Sequence, residues 1–235
     1  MIHVATATEQ DELTASERLA LYRGEKLTKT KIDWCDFSWN PVWGCRNNCP
    51  YCYARKLAKR FGDSEFKPTW KQKNFDKPFP KKLSRIFVNS MSDICWWPWE
   101  WMESVLKKIA DNRMHTFLFL TKSPGIYFGY EFPLNCRLGA TVTREKYLTS
   151  SLALSEKCDF VSIEPMLERI YPQPLNIFTW VIIGAETGNR KGKVIPKRKW
   201  IAEIVDYCKA NQIPVFLKES LREIWGGELI QEYPK

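Results

Sequence analysis

The sequence predicts an α/β fold, a partial (β/α) barrel of about six to seven parallel strands. Short apolar runs rich in β-branched residues alternate with segments of helical periodicity from Lys31 onward. The apolar runs are nearly continuous, as expected for strands that crossover helices bury on both faces. The 235 residues suit one barrel-sized domain. The alternation and the continuous apolar runs favour a parallel sheet, and the strands are too many for a simple ferredoxin-like unit.

Residues 1–30 are predicted to form an N-terminal extension with a short helix, and residues 31–235 the barrel domain. Thr14-x-x-Glu17 has the spacing of a capping box, and Gly24 is a suitable C-terminal stop. A polar stretch precedes this pattern, which indicates a helix packed outside the core.

Within the barrel domain, one strand is expected before the cysteines of residues 45–52, and six follow from Ser84 onward. The six runs are SRIFVNSMSD, HTFLFLTK, RLGATVT, CDFVSIEPM, WVIIGAETG and IPVFLKES. The helical patterns are YARKLAKRF, WMESVLKKIADN, REKYLTSSLALSEK and KRKWIAEIVDYCKANQ. The basic segment 61–83 is the most loop-like interior region, either solvated or facing phosphates.

The charge balance favours a polyanionic partner. Lys and Arg number 36 against 27 Asp and Glu, giving a net charge of +9, and such an excess is typical of proteins that contact nucleic acid. No run of about 18 apolar residues exists, and the N-terminus lacks the basic-then-apolar layout of a signal peptide. We therefore expect a cytoplasmic protein with no membrane association.

Each apolar run is followed by polar residues. In βα barrels chemistry gathers at the carboxyl ends of the strands, so these residues predict one lined cavity at the barrel mouth. They are Asn89, Ser90, Ser92, Asp93, Thr121, Lys122, Thr141, Thr143, Glu164, Glu186, Thr187, Lys218 and Glu219.

Three of the eight cysteines form a compact C-x3-C-x2-C pattern, Cys45, Cys49 and Cys52. In a reducing compartment such a cluster indicates metal binding or catalysis. A structural zinc site needs four N or S ligands, and this one would have to recruit Cys35 or another distant residue. A four-iron four-sulfur cluster on three thiolates leaves one iron open to a substrate or cofactor. Cys158, like Cys208, lies in an apolar pattern and is expected to be a small buried residue.

The cysteine pattern, with Tyr51 directly before the last cysteine, resembles the motif of the radical S-adenosylmethionine (SAM) superfamily. That resemblance implies a partial barrel of the radical SAM type, with the 4Fe-4S cluster held by Cys45, Cys49 and Cys52. It further implies that the open iron binds SAM and that reductive cleavage yields a 5′-deoxyadenosyl radical. A flavodoxin or ferredoxin type reductant is the implied electron donor.

The resemblance extends over roughly residues 30–235. The segments WCDFSWNPVWGC, NSMSD, LTK, SIEPM, VIIGAETG and IPVFLKE are similar to a phage-borne radical-SAM-like family related in pattern to spore photoproduct lyase. By this resemblance the loop carrying Ser90 and Ser92 receives the methionine amino group, and Lys122 meets the methionine carboxylate. If the protein is phage-encoded, its compartment is the host cytoplasm.

Further cofactor-binding positions follow from the same resemblance. Thr141 and Thr143 are placed for carboxylate or ribose hydroxyls, and Glu164 for the ribose. VIIGAETG is similar to the superfamily strand beside adenine, although Val181 stands where its first glycine would be. The catalytic residues beyond the cluster stay unassigned. Cys95 and Cys136 are candidate hydrogen donors near the mouth, but neither lies in a matching motif.

The resemblance implies a function on phage DNA, the modification or isomerisation of a (hyper)modified thymine base. Two alternatives are a radical SAM lyase that repairs a damaged DNA base, and a non-catalytic iron–sulfur or zinc module that binds nucleic acid. DNA is favoured over RNA as the partner. The tryptophans of WWPWEW form either a hydrophobic cap or a base-stacking surface. Two basic clusters could follow phosphates: Arg55, Lys56, Lys59 and Arg60, and Arg190, Lys191, Lys193, Lys197, Arg198 and Lys199.

Overall fold

The computed structural model describes residues 26–27, 29–152 and 157–234, but only the backbone of residues 149–152. The expected N-terminal helix, with its capping box at Thr14 and Glu17 and its stop at Gly24, lies outside the described residues. Among the described residues, no helix combines the length and the apolar character needed to cross a membrane.

Seven parallel strands of the described residues form one open sheet, in the order β1-β4-β5-β6-β7-β8-β9. Their bounds are β1 (Phe37–Ser38), β4 (Arg85–Phe87), β5 (Thr116–Thr121), β6 (Cys136–Val142), β7 (Phe160–Ile163), β8 (Trp180–Ile183) and β9 (Val215–Leu217). Every hydrogen-bonded pair in this sheet is parallel. β1 and β9 are edge strands, so the barrel is partial, and the predicted fold class is confirmed.

Four of the six helices in the described residues lie where the periodicity predicts them. The six helices are α1 (Tyr53–Arg60), α2 (Gln72–Phe75), α3 (Trp99–Ala110), α4 (Glu145–Leu152), α5 (Arg198–Ala210) and α6 (Arg222–Trp225). The helical patterns in the sequence correspond to α1, α3, α4 and α5. The expected continuation of α4 falls on residues 153–156, which are outside the described part of the chain.

The expectation of a loop over residues 61–83 is wrong in part. β3 (Thr69–Trp70) pairs antiparallel with β2 (Val42–Trp43), and α2 follows directly. Trp70 packs against Phe75 with ring centroids 4.8 Å apart and against Trp101 at 5.9 Å. These long-range aromatic contacts order a segment whose sequence has no helical or strand periodicity.

The sheet separates two apolar cores. One lies between the sheet and the helices and includes Met102 of α3 and Ile204 of α5. The other contains no residue from the helices and lies on the concave face of the sheet. Trp34 stands at its centre, with its ring centroid 4.8 Å from Phe87 and 6.2 Å from Trp180. We call this second core the aromatic floor; it consists of Trp34, Cys35, Phe87, Leu118, Phe160, Trp180, Ile182 and Phe216.

Candidate active site

Strand alternation places the polar strand-end residues above the aromatic floor. Successive side chains of a strand point to opposite faces, so a residue two positions beyond a floor residue shares its face. Phe160 of β7 belongs to the floor, and Ser162 and then Glu164 follow on that face. Phe216 of β9 is likewise followed by Lys218. The same alternation gives the concave face Lys122, Thr141 and Thr143.

The loop carrying the three cysteines is fixed to the carboxyl end of the sheet. The Gly44 N–H donates to the Met91 carbonyl at 3.1 Å, and the Cys45 N–H donates to the Phe66 carbonyl at 2.9 Å. Cys52 is the N-cap of α1, and its Sγ accepts a hydrogen bond from the Arg55 N–H at 3.3 Å. The cysteine loop therefore lies beside the residues that follow β4.

The three motif cysteines are free, half-buried thiols that lie close to one another. Burial, with smaller increases from the charges of Asp93, Cys49 and Cys52, raises the pKa of Cys45 to about 11, and a hydrogen bond from the Asn47 backbone opposes the increase. The Asn47 N–H donates to Cys45 Sγ at 3.4 Å. Within the described residues, no group of three or more His, Cys, Asp or Glu side chains is arranged to hold a metal ion.

Tyr51, Lys122 and Thr143 come together beside Cys49. The Lys122 Nζ lies 5.5 Å from the centroid of the Tyr51 ring, within the usual distance of a cation–π contact. Burial raises the pKa of Tyr51, the Cys49 charge adds to the increase, and a side-chain hydrogen bond with Thr143 opposes it. Residues taken from three separate segments of the sequence thus share one corner of the mouth.

The loop after β4 uses both of its serine side chains within the protein. Ser90 Oγ donates to Asn40 Oδ1 at 3.1 Å, and Ser92 Oγ accepts from Trp97 Nε1 at 3.1 Å. The Tyr53 hydroxyl donates to the Ser90 carbonyl at 2.5 Å. Tyr53 was not predicted as a site residue, although it directly follows the last motif cysteine.

Glu164 is paired with a lysine that the sequence identified only as a strand-end residue. Lys218 Nζ lies 2.6 Å from Glu164 Oε1, across the ends of β7 and β9. Gly184, directly after the intervening strand β8, leaves room for this pair, because a Cβ there would lie 3.0 Å from Lys218 Cδ and 3.1 Å from Glu164 Cγ. Thr141 lies one step deeper, opposite Ser162 in the register, and the buried Ser162 Oγ has no hydrogen-bond partner among the described groups.

Asp93, which the sequence predicted as a polar strand-end residue of the mouth but without a role, connects three loops there. Its side chain accepts hydrogen bonds from Thr121 Oγ1 at 2.6 Å, the Lys122 N–H at 3.1 Å and Asn47 Nδ2 at 2.9 Å. It also caps its own turn through the Cys95 N–H at 3.2 Å. The only sequence signal was its place as the last residue of NSMSD.

The remaining cysteines divide by their position in the fold. Cys158 and Cys208 are buried, as predicted, and burial raises the pKa of each to about 12. Cys136 begins β6 at the end of the sheet opposite the mouth, so its candidacy as a hydrogen donor near the mouth is wrong. Cys95 is half-buried beside Asp93 at the mouth.

The tryptophans of WWPWEW do not share one environment. Trp97 is buried, and Trp101 packs against the core, as expected for a hydrophobic cap. Trp96 is 38% exposed and Trp99 is 52% exposed. Trp96 Nε1 donates to the Asn47 side chain at 2.8 Å, so this indole lies at the rim of the cysteine loop. Of these two exposed indoles, Trp96 is the one hydrogen-bonded to the cysteine loop, and the Arg46 guanidinium lies 5.8 Å from its ring centroid.

An ion pair fixes the loop that follows β8. The buried carboxylate of Glu186 accepts hydrogen bonds from Arg190 Nε at 2.6 Å and Nη2 at 2.7 Å. These hydrogen bonds from Arg190 hold the pKa of Glu186 below its ordinary value of 4.5, and the Lys56 charge acts in the same direction. Because the folded carboxyl binds a proton less readily than the unfolded one, the stabilisation is present above about pH 4.5 and is lost as the pH falls through the folded pKa.

We expect Glu186→Gln to remove part of the acid dependence of stability. The unfolding free energy of the wild type should exceed that of the variant at about pH 7, and the difference should shrink below about pH 4.5. Denaturant titrations across this range measure it. Glu223→Gln, at an exposed carboxylate, is the control and should keep the wild-type profile. Curves for Glu186→Gln that run parallel to the wild type at every pH would contradict the assignment.

The fold and the site define the class of protein, an α/β partial barrel with a cysteine loop over the carboxyl ends of its strands. The sequence family described as "Protein of unknown function (DUF5131)" matches residues 29–229. The chain therefore belongs to the DUF5131 family. No curated protein sequence matches it.

Solved structures of spore photoproduct lyase share the fold. A variant with bound AdoMet and dinucleoside spore photoproduct has a TM-score of 0.60 at 11% identity, covering 87% of this chain and 85% of that chain. The lyase complexed with dinucleoside spore photoproduct has a TM-score of 0.59 at 12% identity, covering 83% of this chain and 79% of that chain. At such identities the likeness concerns the fold.

Proposed function

We propose that the protein is a radical SAM enzyme that reductively cleaves S-adenosylmethionine at a 4Fe-4S cluster and so generates a 5′-deoxyadenosyl radical. The observation that carries this proposal is the place of three free thiols, Cys45, Cys49 and Cys52, on one loop at the mouth of a parallel partial barrel. Spore photoproduct lyase, with AdoMet bound in one of its structures, shares this fold.

The donor set fits such a cluster. Each thiolate of a four-iron cluster binds a different iron, so the three sulfurs need not converge on one point as the ligands of a single ion do. Backbone N–H groups already donate to the sulfurs of Cys45 and Cys52, and hydrogen bonds to sulfur tune the potential of iron–sulfur clusters. The cluster, when bound, supplies the open iron and the electron for cleavage of the sulfonium.

The chain's own residues would orient SAM at the concave face. Lys122 provides a cation for the methionine carboxylate, and its contact with Tyr51 holds that cation beside the cysteine loop. With both serine side chains engaged, backbone groups of the loop containing Ser90 and Ser92 would receive the methionine amino group. Thr141, Thr143 and Glu164 are the proposed partners of the ribose and carboxylate oxygens, and for Glu164 this requires sharing its carboxylate with Lys218.

For the substrate, we propose a (hyper)modified thymine base in phage DNA that is modified or isomerised by hydrogen abstraction. The basic charge of the chain favours a nucleic acid as the partner, and the resemblance to the phage-borne family favours DNA. A flavodoxin or ferredoxin type protein would deliver the electron, in the cytoplasm of the host. A second candidate is a lyase that splits a damaged base, favoured by the shared fold with a lyase whose structures contain dinucleoside spore photoproduct.

The test uses anaerobically purified and reconstituted protein. We expect about four irons with matching sulfide per chain, and 5′-deoxyadenosine on addition of dithionite and SAM. The triple variant Cys45→Ala, Cys49→Ala, Cys52→Ala should lose both. Cys95→Ala removes a half-buried thiol at the same end of the sheet and should keep the iron.

Two outcomes would overturn the proposal. One is zinc in place of iron, and the other is an intact cluster that never cleaves SAM even with candidate DNA substrates present. Either result would favour a non-catalytic module that binds nucleic acid. If cleavage occurs, mass analysis of the nucleosides separates isomerisation, which keeps the base mass, from a lyase reaction, which releases fragments.

A further inference from the structure

Exposed cations on α1 and on the loop after β8 form one surface beside the cysteine loop. On α1, Lys59 and Arg60 are exposed, one turn beyond Lys56. The loop after β8 contributes the exposed Lys191 and the half-buried Lys193. We call the following set the basic band: Lys56, Lys59, Arg60, Lys191 and Lys193.

Lys56 joins the two halves of the basic band. A Cβ built on Gly188 would lie 3.8 Å from Lys56 Nζ, so the lysine reaches the loop after β8. Its charge also acts on the carboxylate of Glu186 in that loop. The two basic clusters of the sequence, more than 100 residues apart, are therefore neighbours in space.

Three arginines of the two clusters have structural partners and are left out of the band, and Lys197 and Lys199 are left out because they lie at the start of α5. Arg55 Nη2 donates to the Cys45 carbonyl at 2.8 Å, Arg190 is paired with Glu186, and Arg198 Nε donates to the Trp225 carbonyl at 2.9 Å. Nearby carboxylates are also engaged: Glu186 by Arg190, and Glu65 by Lys67 at 2.9 Å. The band therefore keeps a net positive charge.

The band begins at the mouth and leads away from it. The Lys56 N–H donates to the Cys52 carbonyl at 3.4 Å, so the first cation stands one helical turn from a motif cysteine. The 8 residues of α1 extend about 12 Å, which corresponds to about three phosphates of one strand in a duplex. A DNA strand lying on this helix would have one nucleotide beside the mouth.

We propose that the basic band binds the phosphodiester backbone of DNA, and that the substrate base is presented within a polynucleotide and not as a free nucleotide. This inference rests on the proposed function and specifies the substrate class of the same site. Each cation that neutralises a phosphate releases a counterion, so five contacts predict a slope of log K against log salt of about −3.5 for single strands and about −4.5 for duplex.

The experiment measures binding of fluorescent DNA by the reconstituted protein over a range of salt concentrations. The band variant carries Lys59→Gln, Arg60→Gln and Lys191→Gln. The matched control carries Lys82→Gln, Arg113→Gln and Lys209→Gln, which remove the same charge from exposed residues at the opposite end of the sheet. We expect the band variant to bind about 10- to 100-fold more weakly at about 0.1 M salt, with a slope shallower by about two to three. The control should stay near the wild type.

Several results would overturn the inference. They are equal losses in the two variants, a wild-type protein that does not bind DNA, or RNA bound more tightly than DNA of the same sequence. Formation of 5′-deoxyadenosine, measured on the same samples without DNA, tests the proposed function separately. If the wild type cleaves SAM but the band variant keeps the wild-type salt slope, the role of the band is refuted and the proposed function is not.

Discussion

Gly44→Ala is expected to lower the free energy of unfolding by about 3–5 kcal/mol and to displace the first motif cysteine. Gly44 has a φ of +104°, which L side chains rarely adopt, and an added Cβ would lie 2.0 Å from the Lys67 carbonyl oxygen. The obstruction is backbone on both sides, so no side-chain rotation relieves it. Chemical denaturation gives the stability, and iron content after reconstitution reports the displacement of Cys45.

Two other glycines separate strain from steric overlap. Gly62 also has a positive φ, +85°, but nothing lies within 4 Å of its added Cβ, so Gly62→Ala should cost about 1–2 kcal/mol from conformation alone. Gly129 has open space and no positive φ, and Gly129→Ala should change stability by less than about 0.5 kcal/mol. If Gly44→Ala is no worse than Gly62→Ala, the loop moves freely and the close approach to Lys67 is not a constraint.

The sequence predicts the strands whose own composition specifies them. All four residues of β7 and of β8 are buried, and both strands appear as continuous apolar runs. β2 and β3 have two residues each and no usable periodicity. Their pairing depends on Trp70, which packs against Trp101 of a distant helix. Contacts of this kind cannot be read from a local pattern.

The same distinction holds for the candidate site. The cysteines are predictable because they lie within 8 residues of one another, and their spacing is itself the signal. The pairing of Glu164 with Lys218 joins residues 54 positions apart, and Asp93 meets Thr121 across 28 positions. Both contacts depend on the order of the strands in the sheet, so the sequence indicated polar strand ends without their partners.

Asp93→Ala is expected to destabilise the fold by about 3–5 kcal/mol and to loosen the cysteine loop. The carboxylate is 5% exposed. Its removal leaves the Thr121 hydroxyl, the Lys122 N–H and the Asn47 amide without their acceptor. Leaving a buried donor unpaired destabilises the fold by the full cost of its desolvation, about 1–3 kcal/mol for each group that water cannot reach. Thermal and denaturant unfolding measure the loss.

Asp111→Ala is the matched control, because this carboxylate is about two-thirds exposed and its ion pair with Lys107 spans 3.6 Å. Exposed pairs of this kind contribute less than about 1 kcal/mol. If Asp93 connects the loops as its hydrogen bonds indicate, the reconstituted Asp93→Ala protein should also lose iron faster than the control, since Asn47 is no longer held beside Cys45. A variant that is less stable but loses iron no faster than the wild type would show that Asp93 stabilises the fold and does not position the cysteine loop.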